Sequence, residues 1–205
     1  MKIVKISLSF LLVLTILSSC GDEPSKPTDN TSLLWPLAEG YFWRYYCYQQ
    51  YKGEKYKLYG FTDDKVKKQV KIGNDYWYVM GSMFDSDMDI MMMNDASGLW
   101  IDTYTGSASN TTAKHLMFKY PTFKGDIHIV DGDTVETTTL SAAVNTYAGV
   151  FNCIGYSIKG HNSLIYYYTP GVGPVKAMQV IGYAEENGQY IAVWYVKELY
   201  DYWVK

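Results

Sequence analysis

The chain of 205 residues has few of the side chains that usually carry chemistry. It holds three histidines, His115, His128 and His161, and none has a second ligand at metal spacing. No metal site and no cofactor is expected. There is no G-x-S-x-G, no H-E-x-x-H and no G-x-x-x-x-G-K-[ST], so no catalytic residue stands out and the sequence gives no reason to expect an enzyme. Paired carboxylates would meet only in the fold, and no pair is singled out. Asp85-Ser86-Asp87-Met88-Asp89 begins like a calcium loop, but Ile90 and Ala96 stand where the template needs Gly and a bidentate Glu. It reads as a solvated acidic turn. Basic charge is also scarce: 18 Lys and Arg against 21 Asp and Glu give a net charge of −3, with no strong basic patch. A nucleic-acid partner is therefore excluded. Beyond the first residues, no stretch reaches the ~20 apolar residues that a membrane-spanning helix needs.

What is present begins at the N-terminus. Lys2 and Lys5 precede an apolar run from Ile6 to Leu17, which has the length of a secretory signal. The run ends in Leu17-Ser18-Ser19-Cys20: an apolar residue, two small residues and a cysteine, the pattern of a bacterial lipobox. Small residues let the backbone enter a peptidase site, and the thiol receives the lipid. Residues 1–19 are expected to be a lipoprotein signal peptide, with Cys20 lipidated and the membrane as partner through that lipid. Residues 20–32 hold Pro24, Pro27 and polar side chains with nothing to bury, and form a tether with a reach of ~20 Å. Residues 33–205 form one β-rich domain.

Within that domain, short runs alternate in hydrophobicity and are separated by polar turns, with no helical period. Tyr41–Tyr51 opens the series, with Trp43, Tyr45 and Cys47 on a core face and Phe42, Arg44, Tyr46 and Tyr48 on a wetter one. Turns are expected at Gly53, Asp63-Asp64, Gly73-Asn74-Asp75, Ser97-Gly98, Asp131-Gly132-Asp133 and Glu185–Gly188. Ile90–Met93 reads as a strand with Leu99–Tyr104 as its hairpin partner. Pro170-Gly171-Val172-Gly173 forces the chain out of one strand and into the next. The sum is an all-β chain of about a dozen short strands. Sequential hairpins favour a meander, and hence a single curved antiparallel sheet or open half-barrel.

Aromatic residues are abundant: 21 Tyr, 6 Trp and 7 Phe. Tyr and Trp suit half-buried pleated surfaces and keep a polar end that can stay wet. Such content fits either a thin β core or a sugar-binding face. Cys47 and Cys153 are either a disulfide, permitted beyond the inner membrane, or two buried thiols. Asp133-Thr134-Val135 resembles a D-[ST]-apolar glycosylation acceptor, which makes Thr134 a possible modification site. Trp194 falls on an alternating face and is expected in the core. Tyr200, Tyr202 and Trp203 alternate less cleanly. They either plug the underside of the sheet or offer aromatic faces to a ligand.

Three patterns carry a resemblance: Gly40-Tyr41-Phe42-Trp43-Arg44-Tyr45, Ala148-Gly149-Val150-Phe151-Asn152-Cys153, and Tyr167 to Lys176 with its Pro-Gly-Val-Gly. Together they resemble small β-rich lipoproteins of Bacteroides-like bacteria. Pro174 stands where an aliphatic residue is usual. The resemblance implies an open, curved antiparallel sheet similar to half-barrel lipoprotein carriers, and it transfers no catalytic residue. Asp22-Glu23 looks like the acidic tract linked in such bacteria with export to the cell surface. The location implied is the outer membrane, lipid-anchored, facing the periplasm or the exterior. The function expected is a non-enzymatic binding module for a small molecule, glycan, lipid or peptide. The rival is a structural or assembly subunit that docks another envelope protein.

Overall fold

The computed structural model describes residues 33–81, 90–103, 114–160 and 163–204. Cys20, the acidic run at 85–89 and His161 lie outside the described residues. Twelve strands follow in chain order: β1 (Phe42–Tyr51), β2 (Glu54–Ile72), β3 (Asp75–Gly81), β4 (Ile90–Asp95), β5 (Gly98–Thr103), β6 (His115–Lys119), β7 (Ile127–Val130), β8 (Asp133–Thr146), β9 (Gly149–Lys159), β10 (Leu164–Thr169), β11 (Gly173–Glu186) and β12 (Gln189–Trp203). They form one antiparallel sheet in the order β6-β5-β4-β3-β2-β1-β12-β11-β10-β9-β8-β7. Every neighbour is a sequence neighbour except β1 and β12, which join the two halves. The all-β, single-sheet expectation holds. Among the described residues there is no helix.

The hairpins follow from their turn residues. Lys52-Gly53, Asp131-Gly132 and Asn187-Gly188 each place two successive residues at positive φ. That is the two-residue turn whose twist matches the flanking strands, and Gly takes the second position at no steric cost. One expected turn is absent. Asp63 and Asp64 lie inside the 19-residue β2. Opposite charges across the sheet explain the exception. Asp63 receives two hydrogen bonds from Arg44 of β1, at 2.7 and 2.8 Å. Asp64 points inward and pairs with Lys197 of β12 at 3.1 Å. Two acids that would favour a turn when alone are held in the strand by cations on neighbouring strands.

The sheet curves until its two edges, β6 and β7, come together without a strand ladder. His128 of β7 donates from Nε2 to the carbonyls of Leu116 and Met117 on β6, at 3.0 and 3.2 Å. Lys119 Nζ reaches Ile127 O at 3.3 Å, and His115 Nδ1 lies 3.1 Å from Asp131. Side chains thus bridge the gap in a nearly closed barrel.

Its interior is filled. Phe118 sits among Tyr156, Tyr166 and Tyr168, with ring centroids 4.6, 5.3 and 5.0 Å away, and so links the two halves. Trp43, Tyr45 and Cys47 are buried, as the alternation of β1 predicts. Residues 33–37, which precede the first strand, add a wedge. Trp35 is fully buried edge-on to Trp43 at 5.2 Å and to Tyr168 at 6.0 Å. Its carbonyl accepts a hydrogen bond from Asn94, and Leu33 O accepts one from Gly171. The Pro-Gly-Val-Gly stretch is shaped around this wedge. Val172 O takes the indole N–H of Trp43 at 2.6 Å, and Pro174 O takes the Tyr45 hydroxyl at 3.0 Å. Gly173 has φ of +101°, and a Cβ there would lie 2.5 Å from the Trp35 ring. The most distinctive stretch of the sequence is therefore a structural seat.

A second buried cluster, Trp77, Val79, Met91 and Met93, lies on the opposite face of β3 and β4. There Lys114 covers Trp100 at 4.4 Å.

Candidate ligand-binding face

A carrier would hold its ligand on the concave side, but that side is packed. Among the described residues, two small voids lie beside the Lys197–Asp64 pair. One, of about 60 Å³, is lined by Tyr166, Met178, Tyr195 and Lys197 among others. The other, of about 20 Å³, lies between Trp35, Tyr45, Asp64 and Tyr168. Ligand pockets are usually ~300 Å³ or more, so these fit waters rather than a ligand. Lys197 lies 4.8 Å from the Tyr45 ring centre, and its ammonium is fully engaged between carboxylate and ring. Burial, with the charge of Asp64 second, pushes the Tyr45 hydroxyl well above its ordinary range. Tyr168 rises for the same first reason. The Tyr45 hydroxyl is thus a neutral donor, to Pro174 O.

The outer face of β12, β1 and β2 is different. Arg44 and Tyr46 point outward from β1, and Phe61 of β2 lies directly across from Tyr46. The β8–β9 hairpin bends at two register shifts, between Thr137 and Ala142, and its turn docks on β12. Ala148 N donates to Leu199 O at 3.2 Å. This brings Tyr147 onto the face. The rings then meet: Phe61–Tyr200 at 4.7 Å and Tyr46–Tyr147 at 5.3 Å edge to face, and Tyr46–Phe61 at 5.4 Å and Tyr147–Tyr200 at 5.6 Å tilted. Phe61, Tyr147 and Tyr200 stay 56, 54 and 43% exposed. The Arg44–Asp63 pair borders this patch. The guanidinium's hydrogen bonds hold the Asp63 carboxyl below its ordinary value, against partial burial.

Beneath the open rings lies a charged centre. Glu198 of β12 is nearly buried and accepts the Tyr48 hydroxyl at 2.6 Å. Lys55 and Lys176 approach Glu198 at 3.6 and 3.8 Å. The Lys55 ammonium lies 4.2 Å from the Tyr48 ring centre, 4.8 Å from Tyr147 and 5.8 Å from Tyr46. Burial, and then the hydrogen bond to Glu198, raise Tyr48 far above an ordinary phenol. Tyr48 thus departs from the sequence expectation of a wet position. The Lys55 ammonium over its ring and the hydrogen bond to Glu198 hold it out of water.

The sequence-predicted residues fall in different places. Tyr200, Tyr202 and Trp203 belong to the last strand, and Tyr202 packs partly buried against the core. They continue β12, with Phe42 opposite Trp203, Trp43 opposite Tyr202 and Arg44 opposite Asp201. Tyr200 is the bulged residue and enters the aromatic patch. Trp203 is exposed beside Phe42, and Tyr202 turns towards Phe151 at 6.2 Å. Trp194 is only half-buried: it lies in the partly exposed stretch of β12 opposite Val180, where Ile181 bulges β11. Cys47 and Cys153 are both buried and are not joined to each other. Cys153 sits 3.3 Å from the Thr169 hydroxyl, and burial raises its thiol. Thr134 lies inside β8 between Ile129 and Lys159 and is partly covered. Tyr46, Lys55, Phe61, Tyr147 and Glu198 were not legible as a site. The wetter face of β1 was the one signal that pointed towards them.

No known protein family and no curated protein matches the chain. Two solved structures are similar to it. One is a protein named as exported, with a YmcC-like fold, from Bacteroides fragilis: 16% identity, 84% of this chain and 100% of that chain, TM-score 0.42. The other is a protein named as a lipoprotein, from Parabacteroides distasonis: 16% identity, 85% of this chain and 100% of that chain, TM-score 0.43. At this level of similarity neither likeness is informative about function.

Proposed function

We propose that the protein is a non-enzymatic binding module of the cell envelope, anchored to the outer membrane through Cys20, and that it holds a glycan on the outer aromatic face. The observation that supports this most is the patch of Phe61, Tyr147 and Tyr200, whose rings touch one another and are still open to solvent. Rings of this kind offer apolar area to the C–H faces of a sugar at little entropic cost. The neighbouring guanidinium and carboxylate of Arg44 and Asp63 offer donors and acceptors to hydroxyls.

The test is affinity electrophoresis in gels containing host or bacterial polysaccharides. Retention of the native protein, lost in Tyr200→Ala with an unchanged melting temperature, supports the reading. Equal mobility with and without every polysaccharide refutes it. Fractionation tests the anchor: Cys20→Ser should leave the membrane fraction, and full retention there would refute lipidation as the tether.

A docking subunit is the second reading. It is favoured by Tyr56, Leu58 and Tyr59, which are each about half exposed or more along the projecting part of β2.

A further inference from the structure

We propose that Tyr46, Tyr48, Tyr147 and Glu198 form a binding cage for an ammonium group of the ligand, and that Lys55 is a built-in, exchangeable occupant of that cage. The walls are fixed. Tyr48 is buried and bonded to Glu198 at 2.6 Å, and Tyr46 packs on Phe61 and Tyr147. Three ring faces and one carboxylate directed at one point are the chemistry that recognises a cation, since the ring quadrupole and the negative charge act together.

The occupant is held loosely by comparison. Its contact with Tyr147 Oη is 3.4 Å and with Glu198 Oε2 is 3.6 Å, and its side chain is 37% exposed. It reaches the cage from the second position of β2, near the register shifts that interrupt the β1–β2 ladder. Leaving the cage would return its ammonium to water without breaking a short bond. Lys176, the other cation on Glu198, stays outside the rings. A ligand ammonium could therefore replace Lys55 while the carboxylate remains neutralised throughout.

This deepens the glycan reading and rests on it for the sugar part of the ligand, which would bear a free amine or a choline-type substituent. The cage itself is testable without any sugar. Choline and methylammonium are the probes, titrated by calorimetry against the native protein, Lys55→Ala, Lys55→Ala/Glu198→Gln and Lys55→Ala/Tyr147→Ala, each first shown to be folded by thermal melting. Lys55→Ala should bind at least one probe saturably, about tenfold or more tighter than the native protein, because the internal competitor is gone. Either second substitution should abolish that gain. Tyr147→Leu keeps the apolar cover and separates packing from the ring's charge distribution; it too should lose the gain. Absence of saturable binding by folded Lys55→Ala overturns the proposal, as does equal affinity in the double variants. Polysaccharide retention with no probe binding would leave the glycan reading standing and show that its ligand is not a cation.

Discussion

One of the side chains that bridge β6 and β7 is the His128 imidazole, and pH should act on it. The acceptors of His128 Nε2 are both carbonyls, so that nitrogen carries a proton. Nδ1 is buried and has no partner in the described structure. A second proton there would be charged, desolvated and without an acceptor. Burial accordingly lowers the pKa of His128 below its ordinary 6.5. The two carbonyl contacts and Asp126 oppose that shift, while Lys119 adds to it. When the folded value lies below the unfolded one, the unfolded chain takes up its proton first as pH falls. The contribution of His128 is then complete above about pH 6.5 and is lost progressively below it, down to the folded pKa. The carboxylates whose folded values are depressed, Asp63, Asp126 and Glu186, lose their contributions only in the more acid range. The expected signature is a fall in melting temperature between about pH 7 and pH 5 that is present in the native protein and much reduced in His128→Gln, which can donate but not titrate. At pH 8, His128→Ala removes a donor from two carbonyls, a loss of about 1–3 kcal/mol. For a domain of this size that is about 2–4 °C per kcal/mol. Thermal melts of the three proteins across that range decide the matter. Parallel pH profiles for the native protein and His128→Gln would refute a role for this imidazole.

Two further outcomes follow from the interior. Gly173→Ala would press a methyl group into the Trp35 ring and impose an L side chain on φ of +101°, so it should cost several degrees of melting temperature, whereas Gly188→Ala, with nothing near it, should cost less. Asp64→Asn leaves the Lys197 ammonium buried with a neutral partner and should destabilise by about 3–5 kcal/mol, while replacing both residues with apolar ones of similar size should restore most of the loss, as read by urea unfolding.

The fold was largely readable because its hairpins are local. Alternation and the turns at Gly53, Asp131-Gly132 and Asn187-Gly188 place most strand pairs without knowledge of anything distant. Asp63-Asp64 misleads for the opposite reason. Its strand conformation is fixed by Arg44 and Lys197, which are 19 and 133 positions away. The candidate site has the same difficulty. Tyr46, Phe61, Tyr147 and Glu198 come from β1, β2, the β8–β9 turn and β12, and no spacing in the chain records that they meet. Tyr200 alternates poorly because it is the bulged residue of β12, opposite the step between Arg44 and Tyr45, and that pairing is not written in the local sequence. The interior shows the limit of composition: the same aromatic richness that suggested a sugar-binding face also fills the barrel, and only burial separates the two uses.

The wedge at residues 33–37 gives the molecule a mechanical character. Its carbonyls are clamped by Gly171 from one half of the barrel and by Asn94 from the other. A force transmitted along the chain from before Leu33 is thus divided between both halves before it reaches β1. Trp35 must be drawn out from between Trp43, Tyr168 and Gly173 before the first strand can peel from β2 and β12. Under tension the first event would be extraction of a large ring from a close-fitting seat, with a high barrier over a short distance. Brief, strong loads applied at Leu33 would be resisted while the strands remained in register.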